Sequence, residues 1–227
     1  MTGADDVLTA LRAETAALVA VLDRLGPPDW EQPTRCAPWT VRDMVGHVVT
    51  VLARVADATA GARPHRPDTT ATDYYRPDHR FSATSNDDRI TTACARATDV
   101  EPTLLVRDLS ATLTTVVTTC RQEPPGRIVR TRHGDAMLLT DFLTTRLVEV
   151  AVHGLDVADA LRQPPWLTTP AAHHLQRLLF GPRWRSAVDT LDWDPVTLLR
   201  KTTGRTPVDP DESAALARLG LRGLTLG

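Results

Sequence analysis

Four ionisable side chains share one face of a segment that is otherwise apolar. The segment "RLVEVAVHGLDVADAL", residues 146–161, carries Arg146, Glu149, His153 and Asp156 among valines, leucines and alanines. In a helix that advances about 100° per residue, these four side chains fall within an arc of about 80°. A charged stripe on an apolar helix is not typical of a solvated face. The pattern therefore predicts a polar site inside the protein.

The spacing of Glu149 and His153 suits a metal ion, because residues four apart lie one helical turn apart on the same face. His47, which interrupts a second valine-rich segment, is the best candidate for a third ligand. Two histidines and one carboxylate form a familiar catalytic zinc set, although the same ligands suit iron or another divalent metal. Arg146 and Asp156 are then expected to orient the ligands. The alternative is a salt bridge beside an ordinary core histidine.

Hydrophobic periodicity predicts four long helices that would position these residues. Thr40, followed three residues later by Asp43, resembles a capping box that would open the helix carrying His47. The segment "RIVRTRHGDAMLL" predicts a short hairpin around Gly134. The four helices are predicted at about 5–25, from 40 onwards, at about 87–121 with a break near Pro102, and at about 140–161.

The predicted fold class is all-α, a four-helix bundle over residues 1–165 with a small, mainly helical extension over residues 166–227. Three shorter helices are expected in that extension, around residues 175–180, 195–202 and 211–219. Residues 61–83 form a long loop without helical period. Its aromatic side chains, Tyr74, Tyr75 and Phe81, would suit a lid over a pocket, and a mobile surface loop is the alternative.

Composition excludes several classes of function. The chain has 227 residues, 42% of them hydrophobic, and a net charge of −2, which argues against a nucleic-acid or membrane-surface binder. The sequence shows neither a signal-peptide pattern nor an apolar run long enough to span a membrane, so a soluble, cytoplasmic protein is expected. Cys36, Cys94 and Cys120 form no CxxC pair and are interpreted as free thiols. Phosphate-binding glycine loops and GxSxG motifs are also missing from the sequence.

Three segments resemble the mycothiol-dependent maleylpyruvate isomerase family, which belongs to the DinB-like group of metal-binding four-helix bundles. They are "CAPWTVRDMVGHV" at 36–48, "TTRLVEVAVHGLDVADAL" at 144–161 and "LLRKTTGRTP" at 198–207. The first two occur in the order and spacing of the family, and the resemblance covers about the first 165 residues. It implies a DinB-like bundle with a zinc site made by His47, Glu149 and His153.

The resemblance also implies a reaction. A low-molecular-weight thiol, mycothiol, would take the open zinc position as a thiolate, because zinc favours deprotonation of a coordinating thiol. The thiolate would add to a conjugated double bond of a small-molecule substrate. In an isomerase it would leave after rotation, and in a transferase it would stay attached. Arg205, in the C-terminal "TGR", would suit a substrate carboxylate or the thiol, with a surface arginine beside a turn glycine as the alternative.

The sequence leaves two other functions open. The tail is short and interrupted by prolines, whereas the isomerase carries a mixed α/β C-terminal domain. A second interpretation is therefore that the metal centre serves a thiol-independent hydrolase, lyase or cyclase. A non-catalytic helical binding protein, with the charged stripe as a buried ion-pair network, is the third interpretation. The substrate and the oligomeric state are not determined by the sequence.

Overall fold

The computed structural model describes residues 3–78 and 82–226, and His79 and Phe81 lie outside the described residues. It is helical apart from one short hairpin and the connecting loops, so the all-α prediction is confirmed. In chain order the elements are α1 (Gly3–Leu22), α2 (Pro27–Trp30), α3 (Val41–Ala60), α4 (Ala83–Ala97), α5 (Pro102–Gln122), β1 (Ile128–Arg130), β2 (Ala136–Leu138), α6 (Leu139–Ala160), α7 (Thr169–Phe180), α8 (Trp184–Leu191), α9 (Pro195–Thr202) and α10 (Pro210–Arg218).

The four longest helices close into a bundle. Helix α1 packs against α5 and α6, and α3 packs against the same two helices from the other side. Each helix turns its apolar face inward, because burial of leucine and valine side chains is the main favourable contribution to folding. Leu11, Leu52, Leu109 and Leu147, one from each helix, are fully buried in this core. Helix α4 packs on the outside of α3.

Local signals set the start of α3, which carries His47. The Thr40 side chain accepts a hydrogen bond from the Asp43 backbone N–H at 3.4 Å. The Asp43 carboxylate accepts one in return from the Thr40 N–H at 3.0 Å. This reciprocal capping box satisfies two backbone donors that a helix end leaves free, so α3 begins at Val41 as the sequence predicts.

The predicted break near Pro102 is confirmed: Pro102 occupies the first turn of α5 and separates it from α4, and the connection includes Asp99 at φ 58°. The tail differs from the sequence prediction. The tail contains a further helix, α8, between two predicted ones. The hairpin is confirmed: β1 pairs with β2, and Gly134 adopts φ 94° in the turn, a conformation that glycine reaches without steric strain.

The C-terminal helices share the core of the bundle. Leu175 and Leu179 of α7 belong to the same apolar cluster as the bundle helices, and α7 packs on α1. The division near residue 165 stays a prediction. Among the described residues, none of the helices combines the length and the hydropathy needed to cross a membrane.

Candidate metal centre

His47, Glu149 and His153 converge at the interface of α3 and α6. His47 Nε2 lies 3.2 Å from Glu149 Oε2, and His153 Nε2 lies 3.3 Å from the same oxygen. One ligand atom from each residue lies within 4.8 Å of the others, a separation from which all three atoms can reach one ion. The structure therefore brings together the three residues that the helix spacing singles out as ligands.

His47 and His153 are buried, Glu149 is partly buried, and the protonation of each of the three affects that of the others. Burial lowers the pKa of His47 to about 4, against a smaller opposing effect of its hydrogen bond to Glu149. Burial also disfavours the charged forms of Glu149 and His153, but mutual hydrogen bonds outweigh it. The bonds from both histidines hold the pKa of Glu149 well below its usual range. The bonds to Asp156, Cys36 and Glu149 hold the pKa of His153 well above its own.

Asp156 fixes the orientation of His153 from behind. Its Oδ2 lies 3.0 Å from His153 Nδ1, and it is completely buried. Arg205, in the loop between α9 and α10, donates to both carboxylate oxygens of Asp156, at 3.2 Å from Nε and 3.0 Å from Nη2. These partners hold the pKa of Asp156 down to about 2, although burial alone would raise it. A chain of contacts thus joins the C-terminal region to the metal ligand.

Arg146 lies one turn before Glu149 on α6 and is only 2% exposed. Its guanidinium donates to the Thr145 hydroxyl, to the Val51 carbonyl and to the Tyr74 hydroxyl. Its charge is near enough to Glu149 for the two to attract each other, which helps to raise the pKa of Arg146 against the effect of burial. Arg146 is therefore placed to balance the charge of Glu149 without occupying a ligand position.

Three residues that the sequence pattern does not assign to the centre also adjoin it. The Tyr75 hydroxyl donates to the Thr145 carbonyl at 2.9 Å and approaches Glu149 Oε1 at 3.4 Å. The Trp39 ring lies 4.7 Å from the His47 ring, centroid to centroid. Cys36 Sγ lies 3.7 Å from Asp156 Oδ2. Cys36 and Trp39 belong to the "CAPW" segment, so only the segment, not the role of each residue, is visible in the sequence.

A cavity of about 580 Å³ opens onto the centre. All three candidate ligands line it, together with Arg146, Arg205, Trp39 and the two tyrosines of the long loop, Tyr74 and Tyr75. Tyr75 is only 1% exposed, and its backbone carbonyl accepts a hydrogen bond from the Thr225 N–H. This part of the predicted lid is therefore packed against the cavity, and whether the loop opens and closes stays a prediction.

The sequence is similar to a known protein family and to two curated proteins. Residues 11–158 match the family model of the mycothiol maleylpyruvate isomerase N-terminal domain. Two curated relatives, uncharacterized proteins from two strains of Mycobacterium tuberculosis, are 29% identical over 160 residues, which is 66% of this chain and 54% of each relative. This chain thus spans about half the length of the curated relatives it matches.

Two solved structures share the fold. The mycothiol-dependent maleylpyruvate isomerase aligns with a TM-score of 0.54 at 15% identity, over 82% of this chain and 75% of that chain. A mutant of the isomerase aligns with a TM-score of 0.55 at 14% identity, over 79% and 72%. The resemblance predicted from the sequence motifs is therefore confirmed at the level of family and fold.

Proposed function

The chain belongs to the mycothiol maleylpyruvate isomerase N-terminal domain family, and from that membership we propose that it is a zinc-dependent, thiol-using enzyme. Its substrate would be a small electrophile, and its reaction an isomerisation or the transfer of sulfur to that electrophile. The observation that carries the proposal is the convergence of His47, Glu149 and His153 in the wall of a cavity large enough for small molecules.

The donor set fits zinc. Two imidazole nitrogens face one carboxylate oxygen, and a catalytic zinc site uses three such protein ligands with a fourth position open. Zinc bound to these residues would lower the pKa of a coordinating thiol, and the thiolate would supply a nucleophile for addition to a conjugated double bond. The same donors would accept another divalent metal, so metal identity belongs to the test.

The surrounding residues hold protons and orientations in place. With Asp156 accepting the Nδ1 proton, a neutral His153 would have its Nε2 lone pair available to the metal on the side of the other two ligands. The Tyr75 hydroxyl approaches one oxygen of Glu149 and leaves the other to face the histidines. The fork of Arg205 is committed to Asp156, so we assign Arg205 a positioning role rather than direct contact with a substrate carboxylate.

Metal analysis by plasma mass spectrometry tests the centre. The wild-type chain is expected to contain close to one zinc per molecule, and Glu149→Ala and His153→Ala are expected to lose it. His174→Ala is the matched control, because this partly buried histidine hydrogen-bonds to Thr144 and is not one of the candidate ligands. A wild-type chain without metal would instead support a buried ion-pair network in a non-catalytic protein.

Turnover assays then test the reaction. The zinc-loaded chain is expected to consume a conjugated electrophile only when a low-molecular-weight thiol is added. A product that retains sulfur identifies a transferase, and a rearranged product without sulfur identifies an isomerase. Turnover that needs metal but no thiol would contradict the proposal and support hydrolase, lyase or cyclase chemistry.

A further inference from the structure

The walls of the cavity carry an excess of positive charge. Glu149 is the single carboxylate among the described residues that line it, and six arginines line the same space. The arginines are Arg35, Arg54, Arg89, Arg132, Arg146 and Arg205. Arg205 is paired with Asp156, which lies behind the metal centre. Of the other arginines, Arg54, Arg132 and Arg146 concern one part of the cavity wall.

Arg54 and Arg146 lie on the side of the metal centre opposite to Asp156. Helices α3 and α6 run in opposite directions here, because His47 meets Glu149 while the next turn of α3, at the Val51 carbonyl, meets Arg146. Arg54 comes seven residues after His47, which places it about 10 Å further along α3. Asp156 lies at the other end, two turns beyond Glu149 on α6.

Arg132 and Arg146 hydrogen-bond to groups other than carboxylates, and Glu149 attracts both Arg54 and Arg146. Arg146 donates to two hydroxyls and a backbone carbonyl, and Arg132 Nε donates to His133 Nε2 at 3.1 Å. Burial, followed by repulsion from Arg132 and Arg146, lowers the pKa of Arg54 to about 10. Cations that repel one another in a partly buried space favour an anionic guest, because the guest removes that repulsion and accepts charge-assisted hydrogen bonds.

We propose that Arg54, Arg132 and Arg146 form an anion subsite that binds a carboxylate or phosphate group of the substrate. The assignment to a substrate rests on the proposed function, and it restricts the electrophile to molecules with an acidic group remote from the reacting atom. Spacings of three and seven residues along the two helices place that group on the order of 5–10 Å from the metal ligands. Arginine suits the task because its planar fork matches both anions.

Calorimetric titration of the zinc-loaded protein tests the subsite without any turnover. The probes are succinate, inorganic phosphate and, as a neutral comparison, diethyl succinate. Arg54→Gln is expected to weaken binding of the preferred anion by about tenfold, the effect of one charge-assisted contact. Arg107→Gln removes one exposed arginine of α5 outside the cavity and is expected to bind as the wild type does.

The outcomes separate the possibilities. If succinate binds more tightly than phosphate, the subsite is one for carboxylates. If phosphate binds more tightly than succinate, it is one for phosphates. Equal affinities of wild type and Arg54→Gln for both anions would overturn the proposal, because the anion would then be held by zinc or Arg205. Binding of the diester as tightly as succinate would overturn it too. Arg132→Gln, in the hairpin turn, is the second variant if Arg54→Gln does not fold.

The titration also distinguishes this proposal from the function on which it rests. Anion binding that depends on Arg54, in a protein without thiol-dependent turnover, would contradict the enzyme reaction and leave the subsite standing. Thiol-dependent turnover, with anion binding that is indifferent to Arg54, would contradict the subsite alone. Zinc content measured on each variant shows whether the metal centre is intact in both cases.

Discussion

At the scale of single residues, His153 is the most constrained side chain of the candidate centre. Its two ring nitrogens face different carboxylates, Glu149 at 3.3 Å and Asp156 at 3.0 Å. Such a residue is fixed in both tautomer and orientation, which prepares it to bind a metal with little loss of freedom. Asp156 is in turn paired with Arg205, so a chain of three residues, His153, Asp156 and Arg205, restrains the imidazole ring.

The first prediction concerns Asp156→Asn, which keeps the side-chain size but removes the negative charge behind His153. Zinc affinity is expected to fall by about 10- to 100-fold, because the amide is a weaker acceptor for the Nδ1 proton and no longer pairs with Arg205. Competition with a chromogenic chelator measures the affinity. The control is Asp159→Asn, on the same helix as Asp156, which breaks a more exposed ion pair with Arg200 of α9. Equal losses in both variants would show that the effect is not specific to the centre.

At the scale of elements, the close approach of α3 and α4 depends on a residue without a side chain. A Cβ atom added at Gly46 would lie 2.8 Å from the Ala93 carbonyl oxygen and 3.2 Å from the Ala97 Cβ. Both obstacles belong to α4, and the first is rigid backbone. Because Gly46 directly precedes His47, this contact also helps to set the position of His47 relative to Glu149 of α6.

We therefore expect Gly46→Ala to destabilise the protein by about 1–3 kcal/mol, since overpacking forces the two helices apart. Thermal unfolding followed by circular dichroism should show a melting temperature lower by roughly 2–4 °C for each kcal/mol. Gly61→Ala is the matched control, because φ is −73° there and the added Cβ meets nothing closer than 3.5 Å. If Gly46→Ala melts at the same temperature as this control, the helices yield more easily than the packing indicates.

At the scale of the whole molecule, a buried carboxylate ties the C-terminal helices to the bundle. Glu14 of α1 accepts hydrogen bonds from the backbone N–H and the hydroxyl of Thr168, the residue that precedes α7, at 2.9 and 2.6 Å. Its other oxygen is buried and has no hydrogen-bond partner among the described residues. Burial raises the pKa of Glu14, and the two bonds from Thr168 oppose the rise without cancelling it.

This arrangement predicts a pH-dependent stability. A raised pKa means that the folded state binds the Glu14 proton more tightly than the unfolded state does. The stabilisation that the bound Glu14 proton contributes to the folded state is therefore complete below the pKa of Glu14 in the unfolded state. It is lost as pH rises through the pKa of Glu14 in the folded state. Glu14→Gln should unfold at a higher temperature than wild type at about pH 8, and the difference should shrink towards about pH 4.

Melting temperatures of both proteins across that pH range measure the effect. Glu31→Gln, which neutralises an exposed carboxylate paired with Arg42, corrects for the general change of net charge. A Glu14→Gln variant that is less stable than wild type at every pH would refute the prediction. It would show that the acceptor strength of the carboxylate towards Thr168 matters more than the burial of its charge.

The sequence by itself determined the helices, the family and the candidate ligands. Periodic leucines and valines, the Thr40–Asp43 capping box and the Gly134 turn act over a few residues, so they are visible in the chain. The i, i+4 spacing places Glu149 and His153 on one face whatever surrounds the helix. The division near residue 165 and the roles of the site residues remain predictions.

Only the tertiary structure decided which distant residues meet at the centre. Arg205 reaches Asp156 across 49 positions and Tyr75 reaches Glu149 across 74, and periodicity carries no information at such separations. The same holds for the three arginines of the proposed anion subsite, Arg54, Arg132 and Arg146, which come from α3, the hairpin and α6 and look scattered along the chain. Local physics fixes which face of a helix a side chain occupies. What lies opposite that face depends on how the helices pack, and packing is settled by the whole core at once.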